Sequence, residues 1–191
     1  MEQLNKNIPS CIIIDNFYTN PDLVREFALK CNFNFHEKYH KGQRTDHCYR
    51  FPGVKERFEQ LLNCKIKNWE NYGTNGCFQF CTPEDKLVVH YDGQQYAGVL
   101  YLTPNAPVNC GTTLYKSKIT NKMKVSNEEH NIVFKDGYLN FENFEAVDTI
   151  GNVYNRLILF DAKIIHASSG YFGNEKGNSR LFQLFFFDIH G

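Results

Sequence analysis

From residue 77 onward the chain is built of short apolar runs: CFQFC at 77–81, KLVVHY at 86–91, YAGVLYLT at 96–103, TTLYK at 112–116, RLILF at 156–160 and RLFQLFFFD at 180–188. Turn signals such as Asp92-Gly93, Pro104-Asn105 and Cys110-Gly111 separate them. Runs of this length between turn residues read as strands, because a helix needs a longer periodic stretch to bury a face. The 17 Phe and 11 Tyr agree, since flat side chains pack well on a pleated surface. Ahead of these runs, CIIID at 11–15 reads as a further strand. Asn20-Pro21-Asp22 then starts a helix, with a cap, a proline in the first turn and an acid on the positive end of the dipole. Leu23, Val24, Phe27, Ala28 and Cys31 follow at helical spacing, and Val54, Phe58, Leu61 and Leu62 predict a second helix over 54–63. Residues 117–153 are more polar and predict an insertion with some helix or hairpin, either a lid or an extra packing layer. The expectation is a mainly β chain with flanking helices (α+β), the helices packed on an antiparallel sandwich or barrel, in a single domain over 1–191.

Several function classes are disfavoured. The formal net charge is zero, so no basic excess points to nucleic acid. No run approaches the roughly 20 apolar residues that span a bilayer, and the opening MEQLNKNIPS lacks the apolar core of a signal peptide. The seven cysteines are odd in number and form no CxxC pair. They read as small buried hydrophobes, reduced in a cytoplasmic protein.

One constellation carries chemistry. His90-Tyr91-Asp92 ends an apolar run, and positions i and i+2 of a strand share a face, so His90 and Asp92 can reach one ion while Tyr91 points away. A distal His166 follows the apolar stretch KII. Two imidazoles and one carboxylate leave coordination positions open, the donor set of non-haem Fe(II) oxygenases. Arg180 lies fourteen residues later, at the start of the most apolar run. A guanidinium facing inward there needs a buried partner, which the far carboxylate of a dicarboxylate would supply. Gln79, flanked by Phe78 and Phe80, faces either the site or solvent.

These pieces in this order resemble the 2-oxoglutarate/Fe(II)-dependent oxygenases, in particular their prolyl-4-hydroxylase-like branch. The matching segments are HYDGQQYAGVLYLTPNAPVNCGTTLY at 90–115 and NRLILFDAKIIHASSGYFGNEKGNSRLFQLFFF at 155–187, with IIIDNFYTNPDLVREFA as the leading strand and helix. Cys110-Gly111 stands where the family has paired glycines, and Arg180 where many prolyl hydroxylases have lysine. The resemblance implies a double-stranded β-helix (jelly-roll, cupin-like) barrel with iron held by His90, Asp92 and His166. It implies that Arg180 and Tyr101 fix the far end of 2-oxoglutarate, that dioxygen completes the reactants, and that ascorbate is a candidate accessory reductant. Succinate and carbon dioxide would leave as a C–H bond is hydroxylated. The substrate is open between a peptide and a small molecule, with Gln79 and Arg44 as candidate contacts; no nucleic-acid or membrane partner is expected, and the oligomeric state is open. Two other readings stand beside this one. A cupin-like metal- or ligand-binding barrel would keep the triad without needing Arg180. His36-Glu37-Lys38-Tyr39-His40 matches the HExxH of zinc proteases, with His47 as a third ligand, but CNFNF before it alternates at period two and KGQRTD after it reads as a turn, so a helix is not expected there.

Overall fold

A computed structural model describes residues 9–35 and 41–190. Strand β1 (Cys11–Ile14) leads into helix α1 (Pro21–Lys30), then β2 (Phe33–Phe35), β3 (Gln43–Thr45) and α2 (Val54–Leu62). The remaining elements are β4 (Phe78–Cys81), β5 (Tyr96–Tyr101), β6 (Thr112–Ser117), the short α3 (His130–Val133), β7 (Phe144–Ile150), β8 (Leu157–Asp161), β9 (Ile165–Ser168) and β10 (Arg180–Phe187). They form a seven-stranded sheet in the order β1-β8-β5-β10-β4-β3-β2 and a three-stranded sheet β7-β6-β9, all pairings antiparallel. The expected mainly β chain with flanking helices is present. The larger sheet ends at β1 and β2 and does not close into a barrel.

The central strands are apolar throughout because both of their faces are buried. Tyr96 and Leu100 of β5, Leu157 and Leu159 of β8, Phe78 and Phe80 of β4, and Phe185 and Phe187 of β10 pack in one cluster with Phe58, Leu62 and Trp69. The alternate residues Ala97, Val99 and Tyr101, Ile158 and Phe160, Cys81, and Phe182 and Leu184 form a second cluster with Leu114 and Ile150 of the smaller sheet. One parity of each strand thus faces the helices and the other faces the space between the sheets. Phe58 anchors the helical side, with ring centroids 5.0 Å from Phe185, 5.4 Å from Phe187 and 5.7 Å from Trp69.

Five local expectations change. Residues 86–89 are not a strand; only His90 makes a bridge, to His166, and Val89 donates instead to the Tyr138 carbonyl at 2.9 Å. Asn20 occupies the cap position of α1 without a side-chain cap bond, so Pro21 and Asp22 mark that end by themselves. Leu23 is 63% exposed, off the face that buries Ala28. Gln43–Thr45, expected as a turn, pairs as β3 with both β2 and β4, because β4 otherwise leaves an unpaired edge. Within 117–153, β7 pairs along the whole of β6, so the excursion between the two sheet strands is 118–143. That excursion contributes Val125, Val133 and Phe134 to a third cluster with Val89, Ile165 and Ala167, which makes it a packing layer. All seven cysteines are free thiols. Among the described residues no helix is long and apolar enough to cross a membrane.

Phe58→Ala should cost about 3–5 kcal/mol, the range for deleting a fully buried aromatic ring, whereas Leu23→Ala should stay within about 0.5 kcal/mol. Urea denaturation of both variants checks this, and equal losses would refute the assignment of α2 as the anchoring helix.

Candidate active site

The HxD segment is held by backbone bonds in place of a strand. His90 and His166 exchange both peptide hydrogen bonds (3.0 and 2.8 Å), and Asp92 N donates to the Ala162 carbonyl at 2.8 Å. Residues paired in this way project side chains to one face, and the two imidazole centroids lie 4.4 Å apart. Donor atoms of His90, Asp92 and His166 all fall within 4.8 Å of one another. Asp92 approaches His166 Nε2 at 3.4 Å and His90 Nε2 at 4.0 Å. Tyr91 packs away from the three, against His130 and Phe134.

Each imidazole is turned by its other nitrogen. His90 Nδ1 lies 3.0 Å from the Val88 carbonyl, and His166 Nδ1 lies 2.8 Å from the Ile164 carbonyl. A carbonyl only accepts, so each Nδ1 donates and each Nε2 is the nitrogen turned toward Asp92. Burial, reinforced by His166, lowers the His90 imidazole from 6.5 to about 4 against the opposing pull of Asp92. Its ring is 38% exposed, so water screens it in part. Burial by itself would raise Asp92, but the hydrogen bond and charge of His166, then His90 and Arg44, outweigh it and hold the carboxyl below 3.8. At neutral pH a neutral His90 imidazole and an ionised Asp92 carboxylate face one point, a donor pair that suits a divalent cation with nitrogen and oxygen preferences.

The triad opens on a cavity of about 820 Å³. Phe160, Phe182, Leu184 and Phe186 supply its apolar wall, and Thr112, Ser168, Tyr171 and Arg180 its polar lining near β6 and β9. Arg180 is 2% exposed. Its Nε donates to the Cys110 carbonyl at 3.1 Å, and Nη2 to the Gly111 carbonyl at 3.1 Å and Thr112 Oγ1 at 3.3 Å. Among the described residues it has no carboxylate partner, and Nη1 makes no hydrogen bond. Gly111 is required there by close approach, since a Cβ would lie 1.8 Å from the Ile150 carbonyl oxygen. Gly111 of the Cys110-Gly111 turn is thus sterically fixed.

Tyr101 sits behind Arg180. Its ring lies 5.3 Å from the guanidinium, it is fully buried, and its hydroxyl shares a 2.8 Å hydrogen bond with Thr112 Oγ1. It is not among the residues lining the cavity, whereas Thr112 is. Gln79 and Arg44 both line the cavity, with Arg44 Nε donating to Gln79 Oε1 at 2.7 Å. The rim comes from Gly137, Tyr138 and Leu139 of the 118–143 excursion, so that segment borders the site as well as packing behind it. Thr112, Ser168 and Tyr171 escaped the sequence reading; the signal for Thr112 was its place directly after Cys110-Gly111. The HExxH stretch at 36–40 lies outside the described residues. His47 is described and is not part of the triad.

Residues 1–174 match the model of a family described as "Family of unknown function (DUF6445)". No curated protein matches the chain. Among solved structures, HygX from Streptomyces hygroscopicus, with nickel, 2-oxoglutarate and hygromycin B bound, is 10% identical with a TM-score of 0.59, over 93% of this chain and 82% of that one. A prolyl hydroxylase from Trichoplax adhaerens, in complex with a hypoxia inducible factor oxygen degradation domain peptide fragment, is 14% identical with a TM-score of 0.52, over 94% and 84%. At these identities the likeness is one of fold, shared with HygX and the prolyl hydroxylase.

Because the His90 imidazole is lowered on folding, the unfolded chain takes up a proton between pH 6.5 and about 4 that the folded chain does not. Stability of the metal-free protein should therefore fall as pH drops through that window, with Asp92 adding a loss of the same sign below it. Thermal midpoints against pH should show a shallower slope for His90→Gln; an identical slope would mean that the ring is not desolvated.

Proposed function

The chain belongs to the DUF6445 family, and for this member of it we propose a 2-oxoglutarate- and Fe(II)-dependent dioxygenase that hydroxylates a C–H bond of a peptide or small molecule. One observation carries the reading: a buried guanidinium without a carboxylate partner among the described residues opens on the same cavity as a His-Asp-His cluster. A buried, unpaired cation is costly unless a ligand supplies the counter-charge. A dicarboxylate that also reaches a metal satisfies both features at once.

In this reading His90, Asp92 and His166 hold the metal through the two Nε2 lone pairs and the carboxylate. Arg180 receives the far carboxylate of 2-oxoglutarate, with the Thr112 hydroxyl beside it and Tyr171 on the same cavity lining. Tyr101 acts through Thr112, fixing its hydroxyl and stacking behind the guanidinium. Bound Fe(II), 2-oxoglutarate and dioxygen supply the oxidising power, with release of succinate and carbon dioxide. The residues Phe160, Phe182, Leu184 and Phe186 keep water from the reacting face. In the same reading the two sheets correspond to the halves of a double-stranded β-helix within a single domain. HygX with 2-oxoglutarate and hygromycin B, and the prolyl hydroxylase with its peptide, support the co-substrate and span both substrate classes. A cupin-like binding barrel would account for the triad but leave Arg180 without a purpose.

Anaerobic titration with Fe(II) and then 2-oxoglutarate should produce a visible metal-to-ligand charge-transfer band that needs both components. His166→Ala should abolish it. Arg180→Ala should raise the 2-oxoglutarate required by about 10- to 100-fold, the worth of a charge-assisted hydrogen-bonded pair. A band indifferent to Arg180 would favour the cupin-like barrel. Absence of the band, with zinc binding that depends on His36 and His40, would replace the oxygenase with the zinc site.

A further inference from the structure

The cavity contains a second guanidinium, Arg44, that makes no ion pair among the described residues. Arg44 lies on β3, in register with Gln79 of β4, which is in register with Phe182 of β10. All three line the cavity. Gln79 fixes Arg44 from behind: its Oε1 accepts from Nε at 2.7 Å, and its Nε2 donates to the Lys41 carbonyl at 2.8 Å. The amide is thereby locked in orientation, and the two Nη groups, the edge that pairs best with an oxyanion, make no hydrogen bond among the described residues. Among these residues Arg44 also has no ion pair. Loss of water lowers the guanidinium from its ordinary value, so the group is desolvated without being paired.

The charges of the proposed complex sharpen the point. A divalent ion, the Asp92 carboxylate, a 2-oxoglutarate dianion and Arg180 together carry no net charge. Arg44 is left over, two strands away from Arg180, with Lys41 and Lys86 also on the cavity wall and the exposed Asp136 as the one remaining carboxylate there. Positive charge in excess of the remaining carboxylate, facing an apolar-walled space, selects for an anion.

Resting on the oxygenase reading, we infer that Arg44, aimed by Gln79, selects the substrate of this cavity and that the substrate carries an anionic group, a carboxylate or a phosphate. The apolar wall formed by Leu184 and Phe186, and Leu139 at the rim, fits a hydrocarbon portion attached to that group. Arg44 is a specificity-determining residue and Gln79 its positioning residue.

The test uses the full chain loaded anaerobically with Fe(II) and saturating 2-oxoglutarate. Hexanoate and hexyl phosphate are compared at millimolar concentration with their neutral counterparts, hexanamide and hexanol. Thermal midpoint and the charge-transfer band are the two readouts. An anion should raise the midpoint and perturb the band while its neutral counterpart does neither. Whichever anion acts identifies the group. Arg44→Gln should weaken the response by about 10- to 100-fold, Arg44→Lys should keep part of it, and neither should shift the 2-oxoglutarate requirement as Arg180→Ala does. Equal responses to neutral and anionic probes, or no response to either anion, would overturn the inference. So would an Arg44→Gln variant that loses 2-oxoglutarate in parallel with Arg180→Ala, since Arg44 would then belong to the co-substrate. If the wild-type protein shows no charge-transfer band, the oxygenase reading has failed by itself. The thermal response of the unloaded protein to the same four probes, with and without Arg44, then decides the anion site separately.

Discussion

The geometry of the site depends on the pair of peptide hydrogen bonds between His90 and His166. They tie a segment that lies outside both sheets to strand β9. Without them His90 and Asp92 would hang on an irregular stretch whose other backbone partners are the Tyr138 and Ala162 carbonyls. With them, two imidazoles face each other and a carboxylate two residues on completes the cluster. The carbonyls of Val88 and Ile164 then orient both rings, so the protein has chosen which nitrogens face the centre before any ion arrives.

Charge is handled differently at the two arginines. Arg180 is deeply buried, and the protein meets it with backbone carbonyls and one hydroxyl. These dipoles offset part of the desolvation but leave the net charge in place. The carbonyls come from the Cys110-Gly111 turn, whose approach to Ile150 allows no side chain at Gly111. A steric constraint in the smaller sheet thus determines where a cation of the larger sheet can be held. Arg44 is held by a side-chain amide instead, and keeps its Nη edge toward the cavity.

The 118–143 excursion joins packing to the site. Phe134 and Val133 extend the apolar cluster behind Val89 and Ile165, so the segment supports the backbone on both sides of the bridge. His130 lies between the Tyr91 and Tyr138 hydroxyls, 3.1 Å from each, and links the neighbour of the triad to the rim of the cavity. A change in this layer reaches the ligands through Val89 and Tyr91.

The sequence by itself determined most of the strands, the two longer helices and the identities of the clustered residues. Alternation and local capping are written in neighbouring residues: Pro21-Asp22 marks a helix start, and the parity of RLFQLFFF already puts Arg180 on the same face as Phe182 and Leu184. Tertiary structure decided what local pattern could not. KLVVHY has the composition of a strand, yet its bonds go to a loop because β9 pairs with it only at His90. QRT has the composition of a turn, yet it becomes a strand because β4 offered an edge. Tyr101 lies on the correct parity, but Thr112, brought in from the other sheet, stands between its hydroxyl and the cavity. In each case the deciding partner lies far along the chain, and a side chain's role is set by which distant backbone arrives beside it.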